Sequence, residues 1–257
     1  MAKLSALSRS IEGKVALVTG AASGMGRATA FVFADEGAHV AVTDINDVQP
    51  VVDEIQSAGL SGEGWRLDVS DRDDIERVIA GVAERFGGID ILINNAGIST
   101  ALAIDEEGYD EAWDRTIAVL LTAHQRMIRA ALPHLRRSEH PRIVNIASTE
   151  GLGATKGNSP YTAAKTGVIG LTRALAVDLG REGITVNCIC PGPIRTGMTE
   201  EIPEDEKQIY ARRRIALKRY AEPEEVSQMT LSLCLPAAGF TTGVALPVDG
   251  GLTIKNA

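Results

Sequence analysis

The chain has 257 residues, 44% of them apolar and 23% charged, a globular balance that excludes a disordered polymer. A net charge of -8 and 4% aromatics speak against phosphate backbones, anionic membranes and base-stacking surfaces as partners. No apolar run approaches the roughly 18 residues that span a bilayer, and Met1–Ser10 lacks a long apolar stretch, so a cytoplasmic protein with no membrane and no nucleic-acid partner is expected.

Residues 1–12 read as a flexible extension ahead of the first strand. β-Branched runs then alternate with helical periodicity. Strands are expected at Lys14–Thr19, His39–Thr43, Gly64–Leu67, Ile89–Asn94, Arg142–Ala147, Ile184–Cys190 and Val244–Val248. Helices are expected at Gly24–Glu36, Val48–Ala58, Asp71–Phe86, Glu107–Leu135, Pro160–Gly180 and Pro223–Leu235. This alternation predicts an α/β class: one domain with a doubly wound, seven-stranded parallel sheet of Rossmann type, in the order 3-2-1-4-5-6-7. Cys188, Cys190 and Cys234 suit a reducing compartment; the first two share a strand face and read as core, and no metal-binding spacing is present.

Strand one runs into Gly20-Ala21-Ala22-Ser23-Gly24-Met25-Gly26 and then a helix. Such a loop lets the backbone approach a pyrophosphate while the helix N-terminus offers free N–H groups, so Gly20, Ser23, Gly24, Met25 and Gly26 are candidate dinucleotide contacts. Asp44 closes strand two, 18 residues beyond Gly26, where a carboxylate accepts from ribose hydroxyls and repels a 2′-phosphate. Ser23, Ile45 and Asn46 supply no basic partner for that phosphate, so the expected cofactor is NAD.

Further along, Ser148 follows strand five, and Tyr161 and Lys165 lie one turn apart on one helix face, with Ser159 as the expected cap and Pro160 at the first position. A phenol's ordinary pKa near 10 is high for a base at neutral pH, and a neighbouring ammonium lowers it. Tyr161 can then exchange a proton with a carbinol or carbonyl oxygen to which Ser148 donates. The segment 196–219 interrupts the alternation with an acidic stretch followed by a basic one. It reads either as a mobile substrate lid or as a solvated helix pair with mutual charge pairing. Glu150, Asn158, Met198 and Tyr210 join Ser148 and Tyr161 as candidate substrate contacts.

The set Thr19-Gly20-x3-Gly24-x-Gly26, Asp68-Val69, Asn94-Asn95-Ala96-Gly97, Ser148, Tyr161-x3-Lys165 and Pro191-Gly192, with Val248-Asp249-Gly250-Gly251 at the end, resembles the short-chain dehydrogenase/reductase family. The resemblance implies that Asp68 and Val69 hold the adenine and that Asn95 and Gly97 flank the adenosine ribose, with Ala96 between them a further cofactor contact. It also implies that Ile194 and Thr196, after Pro191-Gly192, meet the nicotinamide carboxamide, and that Lys165 binds the nicotinamide ribose. It implies a homotetramer built on the two long helices around strand five and on the last helix and strand. One position departs: Leu120 stands where the family carries an asparagine, with Thr116 one turn back and His124 one turn on. The expected function is the NAD-dependent interconversion of a small secondary alcohol and a ketone. The competing readings are a 3-oxoacyl-carrier-protein reductase or 3-hydroxyacyl-CoA dehydrogenase, and a non-catalytic NAD-binding regulator.

Overall fold

Alternation along the first strand sets the layering. In β1 (Val15–Thr19), Ala16 and Val18 point into one apolar core while Val15 and Leu17 point into another, as a two-residue period demands of a strand covered on both sides. The structure is a computed structural model that describes residues 6–256. Parallel pairing joins β1 to β2 (His39–Asp44), β3 (Gly62–Arg66), β4 (Ile91–Asn94), β5 (Arg142–Ile146), β6 (Thr185–Pro191) and β7 (Ala245–Val248) in the order β3-β2-β1-β4-β5-β6-β7. The order reverses between β1 and β4, which opens a crevice beyond the carboxyl ends of those strands.

One face of the sheet is covered by α1 (Gly24–Asp35), α2 (Gln49–Ser57) and α9 (Pro223–Cys234), through Phe33, Val52 and Val226. The other is covered by α3 (Arg72–Phe86), α5 (Ala123–Leu135) and α6 (Ser159–Leu179), through Ile75, Met127 and Leu179. Asp71 caps α3 by accepting from the N–H groups of Asp73 and Asp74, and Gly87 ends it in the left-handed conformation. Cys188 and Cys190 share a small core with Val168 and Ile169, on one face as expected, and all three cysteines are free and buried.

Several expectations need correction. The helix predicted over Glu107–Leu135 is α4 (Tyr109–Ile117) and α5, joined by a π-helical turn at Ala118–Thr122 in which Ala123 N–H reaches back to Ala118 O. Strand three begins at Gly62 rather than Gly64, and Leu67 lies past its end. Ser159 is the first residue of α6 rather than its cap; its hydroxyl hydrogen-bonds the Tyr109 phenol at 2.7 Å. Within the extension 1–12, residues 1–5 lie outside the described part, and the rest is tied down: Ser8 O accepts from Ala237 N–H, and Ile11 is 1% exposed.

The segment 196–219 folds into α7 (Gly197–Glu200) and α8 (Glu204–Arg214). Its acidic and basic stretches do not pair with each other as a block. Glu204, Asp205 and Glu206 fill the first turn of α8 and Arg212, Arg213 and Arg214 the last, matching the helix dipole. Glu204 bonds Arg195, and Arg219 bonds Glu225. Among the described residues, no helix is long and apolar enough to cross a membrane.

Candidate active site

The glycine loop is shaped by contacts that exclude side chains. A Cβ on Gly26 would lie 2.0 Å from Gly20 O, and Gly20 itself has φ +67, a left-handed conformation that favours glycine. Asn95 locks the loop from the end of β4: its Nδ2 donates to Thr19 O at 2.8 Å and Gly20 O at 3.2 Å. Thr19 Oγ1 in turn accepts from the N–H groups of Asn95 and Ala96, both at 3.0 Å. Thr19, the first residue of the glycine motif, thus belongs to the site's framework.

A cavity of about 1010 Å³ opens over this loop. Gly20, Ser23, Gly24, Met25, Asp44, Ile45, Asp68, Val69, Asn95, Ala96, Gly97, Thr196 and Met198 line it. Asp44 is 8% exposed and held firmly: Oδ2 accepts from Ala22 N–H, and Oδ1 from the N–H and Nδ2 of Asn46. Asp68 Oδ1 accepts from the Ser70 N–H and hydroxyl. Besides Tyr161 and Lys165, four cofactor candidates stand outside the lining. Gly26 lies against the loop backbone, Pro191 ends β6, Gly192 packs against Asp249, and Ile194 is buried in a bridge to Ala221. A side-chain-free cradle at a helix N-terminus, with a fixed carboxylate across from it, fits a dinucleotide: amides for the pyrophosphate, Asp44 for a ribose.

Ser148, Tyr161 and Lys165 form a second group, beyond that lining. Ser148 follows β5 in extended conformation, and its Oγ accepts from Glu150 N–H at 3.1 Å. Tyr161 and Lys165 lie one turn apart on α6, with the ammonium 5.6 Å from the centre of the phenol ring. Lys165 is 3% exposed and donates to Ile146 O at 2.7 Å. Burial lowers its pKa to about 8. The expectation that Lys165 lowers the Tyr161 pKa meets an opposing force here: burial pushes the phenol up, the Ser148 hydroxyl offsets part of that, and the Glu150 charge adds to it.

Behind this group sits His124, 2% exposed, its pKa lowered to about 3 by burial and then by the Lys165 charge. Leu120 is fully buried within the π-helical turn, with its Cδ2 close to Gly97. Thr116 hydrogen-bonds Thr100 and is not turned to Lys165 by any bond.

The candidate substrate contacts divide. Both Glu150 oxygens are occupied, by Thr155 N–H and Oγ1 and by Thr162 Oγ1, so the carboxylate ties the loop after β5 to α6. Asn158 offers its carbonyl to Thr162 N–H at the start of α6. Tyr210 on α8 meets Tyr220 edge to face at 6.2 Å and feels the charges of Arg214 and Glu150, which places α8 near the Ser148 loop. Met198 is 52% exposed at the cavity wall. Among the described residues, no group of three His, Cys, Asp or Glu side chains is placed to hold a metal ion.

Comparisons with known proteins agree with this architecture. Residues 20–253 match a family model described as enoyl-(acyl carrier protein) reductase. The chain is 42% identical over 246 residues to a subunit of (2S)-(R)-hydroxy(phenyl)methyl-succinyl-CoA dehydrogenase from Thauera aromatica, covering 95% of this chain and 98% of that one. It is 39% identical over 246 residues to a 3-oxoacyl-(acyl-carrier-protein) reductase from Thermotoga maritima, covering 95% and 99%. A crystal structure of a dehydrogenase/reductase from Sinorhizobium meliloti 1021 superposes with a TM-score of 0.90 at 38% identity, covering 95% of this chain and 97% of that one. Fold, glycine cradle, Tyr161–Lys165 pair and these likenesses together place the chain in the short-chain dehydrogenase/reductase family of oxidoreductases.

Proposed function

We propose that this protein is an NAD-dependent oxidoreductase that interconverts a secondary alcohol and a ketone. The observation that carries the reading is the grouping of Ser148, Tyr161 and Lys165 at the end of β5, beyond the lining of a cleft shaped for a dinucleotide. When bound, the dinucleotide takes up or returns a hydride at its nicotinamide C4. The glycine cradle and Asp44 hold its adenosine half; Ile194, Thr196 and Lys165 are assigned to the nicotinamide half. Ser148 donates its proton to the substrate oxygen and orients it. Tyr161 takes the carbinol proton during oxidation and gives it back during reduction. Lys165 supplies the positive charge that offsets the burial of the phenolate.

The choice of NAD rests on Asp44. Its carboxylate faces the cleft, and Ser23, Ile45 and Asn46 beside it bring no positive charge. Arg27 is engaged by Glu54, and Arg66, in register with Asp44 across β2 and β3, is exposed at the strand's end. NAD is therefore expected to exceed NADP by at least about tenfold in kcat/KM, roughly 1.4 kcal/mol. The test is a screen of hydroxysteroids, sugars, cyclic alcohols and 3-hydroxyacyl thioesters with both cofactors in parallel; comparable values for the two would remove Asp44 from the argument.

A thioester substrate is the second reading. The exposed Arg212, Arg213 and Arg214 at the end of α8 offer charge to an anionic carrier, and both relatives named above act on thioester-linked acids by their names. In assembly, we infer a homotetramer, in keeping with Val177 on α6 and Phe240 before β7, apolar side chains that are 81% and 105% exposed.

A further inference from the structure

Among the described residues, four buried side-chain polar atoms find no hydrogen-bond partner within the chain: Asn94 Oδ1, both ring nitrogens of His124, and Thr185 Oγ1. Three of the four face one layer. Asn94 follows the alternation of Leu92, which packs with Ala123 and Met127 of α5, the helix that carries His124. Asn94 Nδ2 donates to Asn145 Oδ1 at 2.9 Å, and Asn145 Nδ2 donates to Thr172 Oγ1 of α6 at 3.0 Å, so polar contacts already cross this layer. Lys165 enters it from α6, with one of its three N–H groups engaged by Ile146 O. Of the charged groups, Lys165 alone accompanies burial as a cause of the His124 shift.

The unmatched atoms complement one another. Lys165 has N–H groups to give, and an imidazole carries one acceptor and one donor nitrogen. Asn94 Oδ1 is an acceptor. A buried water satisfies groups of this kind at about three hydrogen bonds apiece. One turn before His124, the π-helical turn brings only the apolar Leu120 to the interior. A plain core position would be served by leucine or phenylalanine without leaving two buried nitrogens unpaired.

We propose that His124 is a positioning residue for Lys165: one imidazole nitrogen accepts from the Lys165 ammonium through an internal water, the other donates towards Asn94, and the ammonium is thereby held beside Tyr161. The inference rests on the reading of Tyr161 and Lys165 as the proton-exchanging pair.

Two variants and one spectrum test it. In His124→Leu, kcat on the best substrate is expected to fall about tenfold or more, with the acid limb of the pH–rate profile moved to higher pH and the substrate KM within about threefold. His124→Gln, which keeps an acceptor and a donor, is expected to recover most of the rate. A His124→Leu enzyme with an altered melting temperature but unchanged kcat and pH profile would overturn the proposal. The spectrum needs no turnover. In the cofactor-free protein labelled with 15N-histidine, the His124 ring resonances are expected to move on Lys165→Met; identical resonances would overturn the contact even if both His124 variants failed to fold. Failure of the functional reading looks different: Tyr161→Phe would then retain turnover while the His124 spectrum still responded to Lys165.

Discussion

At the scale of single residues, function here turns on where polarity is kept and where it is given up. Asp44 is kept. Three donors fix its carboxylate at the cleft, so Asp44→Ala should relax the cofactor preference, with kcat/KM for NADP rising towards that for NAD. Polarity is given up at Leu120, fully buried against Gly97. An asparagine placed there would lose apolar contact and bury an amide, so Leu120→Asn should cost about 1–3 kcal/mol of stability without raising kcat. Thermal melting together with kcat checks this; a raised kcat would show that position 120 still serves proton transfer. Ser148, Tyr161 and Lys165 were singled out by their spacing together with the family resemblance, since an i to i+4 pair on a helix is by itself a common pattern. The significance of His124 was not legible. A histidine within an apolar helix face reads as core, and only the three-dimensional count of its partners shows that it has none.

The elements were legible wherever periodicity ran without interruption. The seven strands and their order follow from alternating β-branched runs and right-handed crossovers, and the observed order is the expected one. Sequence was mute where one residue is inserted or a distant partner intervenes. The π-helical turn at Ala118–Thr122 leaves the apolar pattern of α4 and α5 intact, so periodicity read one helix. Ser159 had the chemistry of a cap, but Tyr109, fifty positions away, takes its hydroxyl. Glu150 likewise looked available to a substrate until Thr155 and Thr162 claimed it. The tightest element-level prediction belongs to the turn from β1 into α1. Gly26→Ala would drive a methyl into Gly20 O, displacing the loop that presents the α1 amides. Calorimetric titration should show NAD binding weakened by about tenfold or more, roughly 1.4 kcal/mol. Undiminished affinity would show that the cradle tolerates displacement.

Over the whole molecule, the buried histidine and lysine couple stability to pH in opposite ranges. Folded His124 has a pKa of about 3 against an ordinary 6.5, so between those values the unfolded chain binds a proton that the folded one refuses. Stability therefore falls as pH drops from about 6.5 towards about 3. Folded Lys165 has a pKa of about 8 against an ordinary 10.5, so stability rises with pH across that interval for the same reason. His124→Leu removes the acid-side contribution, and its advantage over the wild type should grow from pH 7 to pH 4 by about 3 kcal/mol. Melting curves of the two proteins that stay parallel over that range would place the His124 charge outside the folding equilibrium.

On the proposed mechanism the Tyr161 hydroxyl carries the proton while the rest of the site binds and orients. Tyr161→Phe isolates it, since the ring and its packing on Lys165 remain and one oxygen is lost. The measurement is kcat for this variant and the wild type on the best substrate from the screen, with NAD affinity measured on the same preparations. Unchanged folding, NAD affinity within about twofold and turnover lower by roughly 10² or more are expected. Near-normal kcat in Tyr161→Phe would contradict the mechanism.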